Sequence, residues 1–128
     1  MQGLHLCADL SGVRADLPEM LDPAALQAIC VAAVAQAGLG AVAELFHRFV
    51  PAPGETQSGI TGVVLLAESH LAVHTWPELG GVTLDVYVCN MGQDNSSRAQ
   101  ALMARLISAF APEQVQQQAL QRGGLAQI

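Results

Sequence analysis

The stretch GITGVVLLAESHLAVHTWPELGGVTLDVYVCN, residues 59 to 90, decides the fold because it holds three consecutive strand-like segments. Residues 60–67 form an unbroken apolar run, which is typical of a central strand covered on both faces. Residues 71–76 and 82–89 predict two further strands, and the proline and paired glycines in 77–81 predict a turn between them. Strands joined by such short connections predict an antiparallel sheet.

Polar side chains interrupt this otherwise apolar stretch. In residues 82–89, Thr83, Asp85, Tyr87 and Cys89 face one way, and aliphatic residues face the other. The stretch also carries Ser69, two histidines and the only tryptophan of the chain. Because polar groups on strands cost free energy unless they have partners, this cluster invites a chemical explanation.

The remaining sequence predicts strands and helices on both sides of this stretch. Asp22 as N-cap, Pro23 at the first helical position and Gly38 as a stop delimit one helix, and Asp94 caps another. The expected ranges are a strand at 3–10, a connection at 11–21, a helix at 23–37, a strand at 41–50, a loop at 51–58, a helix at 95–110, and a last strand with a loose tail within 112–128. This order predicts a single α+β domain over residues 1–128, a two-layer sandwich whose mostly antiparallel sheet carries two helices on one face.

Composition restricts the partners that the chain can have. Apolar residues make up 52% and charged residues 12%, so we expect another subunit to cover an apolar face, giving a homo-oligomer. The net charge of −6 argues against nucleic acid or an anionic membrane surface as a partner. The sequence shows neither a signal-peptide pattern nor an apolar run long enough for a membrane span, so we expect a cytoplasmic protein.

The basic residues argue against a pyridoxal phosphate enzyme, and the cysteines argue against a disulfide framework. All five basic residues are arginines, and without a lysine the chain cannot hold pyridoxal phosphate as a Schiff base. The three cysteines are an odd, widely spaced set without a CxxC pair, which favours reduced thiols. Cys30 lies on the apolar stripe of the first long helix, where a core position is expected.

Metal and hydrolase chemistry fit the central stretch poorly. His70 and His74 lie four residues apart, a step of about 13 Å on a strand, so one zinc ion cannot bind both, and no metal is expected. Ser69 lies in AESHL rather than in the GxSxG motif of serine hydrolases. Taken singly, Ser69 also fits a turn hydroxyl, His74 a hydrogen-bonded sheet histidine, and Cys89 a small buried apolar side chain.

Taken together, the motifs resemble a known family. GITGVVLLAESHLAVHTWPE followed by LDVYVCN closely resembles the prokaryotic S-adenosylmethionine decarboxylases, which make a pyruvoyl cofactor from an internal serine. HL-x-AD-L at residues 5–10 and FHRF at 46–49 also look like segments of this family. The resemblance implies a two-layer fold and active sites at the interface of a homodimer of processed protomers.

The resemblance also implies a self-cleavage. The Ser69 hydroxyl would attack the carbonyl of Glu68, and β-elimination would then separate chain 1–68 from chain 69–128. Ser69 would become the pyruvoyl group at the start of the second chain. By resemblance, His74 transfers the proton during processing, which suits the titration range of histidine.

By the same resemblance, the pyruvoyl ketone forms a Schiff base with the substrate amine and serves as the electron sink when CO₂ leaves. Cys89 matches the cysteine that reprotonates the product carbon. Phe49 matches an aromatic residue that stacks on adenine, and Glu78 matches a carboxylate that binds the ribose hydroxyls. Asp9 stands where many relatives have glutamate, and is expected to be a substrate-binding carboxylate shortened by one methylene.

The expected function is decarboxylation of S-adenosylmethionine to the aminopropyl donor of spermidine biosynthesis. Asp9, the longer loop at 51–58 and the lack of a basic C-terminal segment depart from the family pattern, and all three bear on substrate fit. A pyruvoyl-dependent arginine or ornithine decarboxylase on the same fold is therefore the alternative. The non-enzyme hypothesis is that the chain is an unprocessed regulatory homologue that retains Ser69.

Overall fold

A computed structural model describes residues 1–124 of the chain. These residues form one sheet of six strands and three helices. In chain order they are β1 (Gly3–Ser11), α1 (Pro18–Leu21), α2 (Pro23–Gln36), β2 (Ala41–Arg48), β3 (Ile60–Leu66), β4 (Ser69–Trp76), β5 (Gly81–Cys89), α3 (Ser96–Phe110) and β6 (Gln114–Arg122). The α+β class predicted from the sequence is confirmed.

Every strand pair in the sheet is antiparallel, and the strand order is β2-β3-β4-β5-β1-β6. The three strands of the central stretch are neighbours, as their short connections require. The register aligns Asp9 of β1 with Thr83 of β5, and Thr83 with His74 of β4. Residues far apart in the sequence therefore share one row across the sheet.

The sequence signals for the long helices act as predicted. The Asp22 carboxylate accepts a hydrogen bond from the Ala24 N–H at 3.0 Å, and Pro23 is the first residue of α2. The Asp94 carboxylate accepts from the Ser96 N–H at 2.9 Å, although the residue at the N-cap position is Asn95. Each helix thus gains a partner for an amide that the helix itself leaves free.

The core lies between the sheet and the two long helices. Strand β5 shows the alternation clearly, since every second residue is buried and the residues between them are half-buried. The helices contribute apolar residues to the same layer, and Cys30 is one of them, as predicted. The largest completely buried side chains are Phe110, Met20, Leu26, Ile60, Leu71, Leu84, Leu102 and Leu106.

The opposite side of the sheet, which we call the open face, has no helix over it among residues 1–124. In a single chain residues 60–67 are therefore covered on one face only, and the predicted covering of the other face requires another subunit. Leu65 on this face is 47% exposed, whereas Val64 beside it is buried. The open face also carries exposed apolar residues on the outer strands, among them Leu45 and Leu120. A single chain thus leaves an apolar surface in contact with water.

Several boundaries differ from the sequence prediction. The expected connection at 11–21 contains the short helix α1, which begins at a proline and places Met20 in the core. Strand β4 begins at Ser69 rather than at residue 71, and β2 ends at Arg48, so Phe49 lies beyond the strand. The end of the expected tail, residues 125–128, lies outside the described residues. Within residues 1–124, no helix is both long and apolar enough to cross a membrane.

Leu71→Ala tests the core. Leu71 is completely buried, so its truncation should lower the free energy of unfolding by about 2–5 kcal/mol. The matched control is Leu79→Ala in the exposed turn after β4, which should change it by no more than about 0.5 kcal/mol. Urea denaturation in a Ser69→Ala background measures both on an uncut chain. Equal effects of the two substitutions would contradict the packing described above.

Candidate active site

The sequence-predicted site residues lie at two opposite ends of the sheet. Strands β1, β2 and β4 run in the same direction. Asp9, Phe49, His74 and Glu78 therefore all lie near or just beyond the C-terminal ends of these strands. We call this the histidine end. Glu68 and Ser69 at the start of β4, with Cys89 at the end of the antiparallel β5, form the serine end.

The backbone at the serine end is strained just before Ser69. Ala67 and Glu68 are the two-residue connection between β3 and β4, whose flanking residues Leu66 and Ser69 pair with each other. Glu68 has a φ of 54°, in the left-handed region. A residue with a side chain costs about 1–2 kcal/mol in this conformation, because Cβ approaches the following carbonyl oxygen. The peptide bond between Glu68 and Ser69 therefore begins at a strained residue.

Ser69 and Cys89 are in direct contact at this end. The backbone N–H of Cys89 donates a hydrogen bond to the Ser69 hydroxyl oxygen at 2.9 Å. The thiol sulfur of Cys89 accepts from the Met91 N–H at 3.4 Å, and the residue is half-buried. The fold thus fixes the serine hydroxyl and a free thiol on adjacent strands.

Two asparagines that the sequence analysis did not select hold the end of β5 against α3. The Asn95 side chain donates to the Cys89 carbonyl at 2.9 Å, and the Asn90 side chain accepts from the Asn95 N–H at 2.8 Å. Asn90 also donates to the Ser96 hydroxyl at 3.1 Å. The sequence feature that points to these contacts is a pair of asparagines between a strand and a helix, where asparagine side chains often form hydrogen bonds to the backbone.

The histidine end contains a surface hollow of about 330 Å³. Phe49, His74, Trp76 and Glu78 line it, and the loop at 51–58 supplies much of its remaining wall. The Phe49 N–H donates to the Gly59 carbonyl at 3.1 Å, and the Ser58 hydroxyl donates to the Phe49 carbonyl. The loop that the sequence marked as unusually long is therefore closed at its base beside Phe49.

His74 has a partner that the sequence analysis missed. The Thr61 hydroxyl and His74 Nδ1 are 3.0 Å apart, because β3 and β4 place these residues opposite each other on the open face. This contact fixes the orientation of the imidazole and leaves Nε2 for other partners. The signal was present in GITG, where a threonine interrupts the apolar residues of the strand.

Asp9 shares the histidine end but not the hollow of Phe49. The Asp9–Thr83–His74 row spans two strand spacings, or about 10 Å, between Asp9 and His74. Asp9 instead lines a separate hollow formed with Gln114 and Gln116 of β6. The structure therefore separates Asp9 from the other residues assigned to substrate binding.

Within one chain the two ends do not meet. Ser69 and His74 lie five residues apart on the same strand, a separation of about 17 Å. A side chain cannot cover that distance, and a regular strand cannot fold back on itself. The structure brings Ser69 together with Cys89, and His74 together with Phe49 and Glu78, but it keeps these two groups apart.

Known proteins are similar to this chain in sequence and in fold. The family model for S-adenosylmethionine decarboxylase matches residues 4–123. The chain is 38% identical over 121 residues to the S-adenosylmethionine decarboxylase proenzyme of Aquifex aeolicus. The aligned region covers 94% of this chain and 81% of that protein. The proenzyme of Archaeoglobus fulgidus is 33% identical over 94% of this chain and 97% of its own length.

A solved structure extends the agreement to three dimensions. The crystal structure of the adenosylmethionine decarboxylase from Aquifex aeolicus matches with a TM-score of 0.80 and 37% identity, over 94% of this chain and 90% of that one. The family expected from the ESHL-x-x-HTWPE motif is confirmed by comparisons that extend well beyond the motif. The chain belongs to the S-adenosylmethionine decarboxylase family.

Proposed function

We propose that this chain is a pyruvoyl-dependent decarboxylase of S-adenosylmethionine that first cleaves itself between Glu68 and Ser69. The observation that carries the proposal is the serine end, where a strained residue precedes a serine whose hydroxyl contacts the strand of Cys89. The curated relatives support both parts, because their names combine this decarboxylase activity with the term proenzyme.

Self-cleavage needs only atoms of this chain and one water. The Ser69 hydroxyl attacks the Glu68 carbonyl, the peptide bond becomes an ester, and β-elimination leaves residues 1–68 with a free carboxylate. Hydrolysis of the new enamine then releases ammonia and leaves a pyruvoyl group at position 69. The left-handed conformation of Glu68 supports self-cleavage at this position, since the strain that it stores is released when the peptide bond breaks.

The serine end fits a pyruvoyl group, because position 69 is half-buried and lies within hydrogen-bond distance of the Cys89 backbone N–H rather than in open solvent. Such a group supplies an electrophilic carbonyl that withdraws electrons from the substrate carbon as CO₂ leaves. Cys89 is proposed to hold the proton that this carbon receives. Its sulfur accepts a hydrogen bond from the Met91 N–H, which holds the side chain in place.

The hollow at the histidine end supplies a site for the nucleoside. We assign Phe49 to stacking on adenine and Glu78 to the ribose hydroxyls, and Trp76 adds a second aromatic side chain to the same wall. Phe49 is 51% exposed, so its ring is accessible to a base. A distal ammonium or guanidinium needs carboxylates and no aromatic platform, whereas this hollow combines the carboxylate of Glu78 with two aromatic side chains. The geometry thus favours the nucleoside substrate over arginine or ornithine.

We propose that the complete site forms only when two chains pack open face to open face. The distance of about 17 Å along β4 prevents His74 from reaching the Ser69 of its own chain. A two-fold axis that lies between the sheets and perpendicular to the strands would place the histidine end of one chain over the serine end of the other, twice per dimer. The exposed apolar residues of the open face support this packing, because a second sheet would remove them from water.

The substrate prediction concerns release of CO₂ from three labelled compounds. The wild-type protein should release CO₂ from S-adenosylmethionine and not from arginine or ornithine. Phe49→Ala should raise KM for S-adenosylmethionine by about 10-fold or more, the effect expected for losing about 1.4 kcal/mol of stacking. A cut protein that acts only on an amino acid would contradict the proposed substrate.

The backbone prediction concerns the rate of self-cleavage. Glu68→Gly should slow it by about 5- to 30-fold, the factor that corresponds to 1–2 kcal/mol of lost strain. Ala67→Gly is the matched control, because it adds similar freedom to the same connection without relieving a left-handed residue. A time course on denaturing gels measures both rates. Cleavage of Glu68→Gly at the wild-type rate would show that the strain plays no part.

The dimer prediction uses two variant chains, neither of which should be able to cleave itself when it is produced alone. Ser69→Ala lacks the nucleophile and His74→Ala lacks the proton-transfer group, so each should remain uncut by itself. When the two are produced together with different tags, the His74→Ala chain should be cut, because the partner supplies histidine. The Ser69→Ala chain should stay whole. If neither chain is cut in mixed dimers, His74 acts within its own chain and the proposed assembly is wrong.

A further inference from the structure

A second polar cluster, which the proposed reaction does not use, lies on the open face between the two ends of the sheet. It consists of His5, Cys7 and Asp85, and we call it the His5–Cys7–Asp85 trio. Its donor atoms all lie within 4.8 Å of one another. Along β5, Asp85 lies four residues before Cys89, or about 13 Å away, and His5 of β1 lies opposite Tyr87, two residues before Cys89. The trio therefore borders the serine end but shares no residue with it.

Sheet geometry explains why these three residues meet. His5 and Cys7 are two residues apart on β1, so both side chains point to the open face. Asp85 of β5 is directly opposite Cys7 in the antiparallel register. The His5 Nε2 atom lies 3.1 Å from an Asp85 carboxylate oxygen and 3.6 Å from the Cys7 sulfur. All three residues are half-buried, and the trio is therefore held by two paired strands rather than by loops.

The arrangement does not suit a cysteine nucleophile. In a Cys-His-Asp relay, the histidine uses one ring nitrogen for the thiol and the other for the carboxylate. Here the same Nε2 atom faces both groups. Burial, together with the hydrogen bond and the negative charge of Asp85, also raises the pKa of the Cys7 thiol, whereas a reactive thiol needs a lowered one.

We propose that the trio is a binding site for a divalent transition metal of the zinc class. Imidazole, thiolate and carboxylate are the three side-chain ligand types of zinc, with bonds of about 2.0–2.2 Å to nitrogen or oxygen and about 2.3 Å to sulfur. In a tetrahedron with these bonds, sulfur and nitrogen are about 3.6 Å apart and nitrogen and oxygen about 3.4 Å apart. The observed separations of 3.6 and 3.1 Å lie close to both values.

The surroundings leave room for a fourth ligand. A hollow beside β6 is lined by His5, Cys7, Gln118, Ala119 and Leu120, and it opens next to the trio. A water molecule in this hollow completes a tetrahedron with three protein ligands. Tyr87, two residues from Asp85, presents its ring edge-on to the His5 imidazole at 6.3 Å between centroids and limits the rotation of that ring.

Binding displaces one proton and involves no change of oxidation state. The metal replaces the thiol proton of Cys7 and takes the Nε2 lone pair of neutral His5, so affinity falls as the pH is lowered. The ion joins β1 to β5 across the middle of the sheet and does not take part in the decarboxylation. The trio lies on the face that the proposed dimer covers, but metal binding and decarboxylation are measured separately, so failure of one proposal is distinguishable from failure of the other.

Cobalt(II) is the probe, because thiolate ligation of this ion gives a charge-transfer band in the near ultraviolet and tetrahedral ligation gives strong visible bands. Tag-free protein, reduced with a phosphine and kept free of oxygen, is titrated with cobalt. We expect saturation at about one ion per chain, with bleaching when zinc is added. Absence of a saturable band in the wild-type protein would overturn the proposal.

Variants assign the ligands. Cys7→Ser should abolish the near-ultraviolet band, and His5→Gln and Asp85→Asn should each weaken cobalt binding by at least about 10-fold. Cys89→Ser is the matched control and should retain the full band, because its sulfur belongs to the serine end. Circular dichroism confirms folding of each variant. Loss of the band in Cys89→Ser together with its retention in Cys7→Ser would place the metal elsewhere and contradict the site.

Discussion

The constraint on which the structure depends is the stiffness of a single β-strand. Strand β4 carries both Ser69 and His74, and its extended backbone keeps them about 17 Å apart. No change of rotamer removes this separation, so chemistry that needs both residues requires a second source of one of them. The bare open face gives a surface on which a second chain can lie. Two features that look unrelated in the sequence, an apolar composition and a divided polar motif, thus have one physical explanation.

The two ends of the sheet also divide the chemical tasks. At the serine end, a left-handed residue in a short hairpin connection precedes Ser69, whose hydroxyl accepts a hydrogen bond from the Cys89 backbone N–H. At the histidine end, a closed loop and two aromatic side chains form a hollow of a size that suits a small ligand. The proposed bond breaking within the chain and the proposed recognition of the substrate would therefore use different local structures, held in place by the same strands.

Much of this fold follows from the sequence, because its signals are local. The alternation of polar and apolar residues predicted β5, and Asp22 followed by Pro23 predicted the start of α2. The sequence could not tell what covers residues 60–67, because an apolar run does not show whether a face meets its own helices or another subunit. The motif residues of the candidate site could be named from the sequence, but the Thr61–His74 pair depends on strand register, as does the separate His5–Cys7–Asp85 trio. Register follows from pairing between distant segments, which single-residue patterns do not specify.

The most direct test of the central claim is the intact mass of the purified wild-type protein under denaturing conditions. Self-cleavage at Glu68–Ser69 predicts two species, residues 1–68 with a free carboxylate and residues 69–128 with a blocked, ketone-bearing terminus. Their masses and that of ammonia should sum to the mass of the whole chain plus one water. A single uncut species of 13.3 kDa, or a second chain that begins with an unmodified serine, would contradict the account.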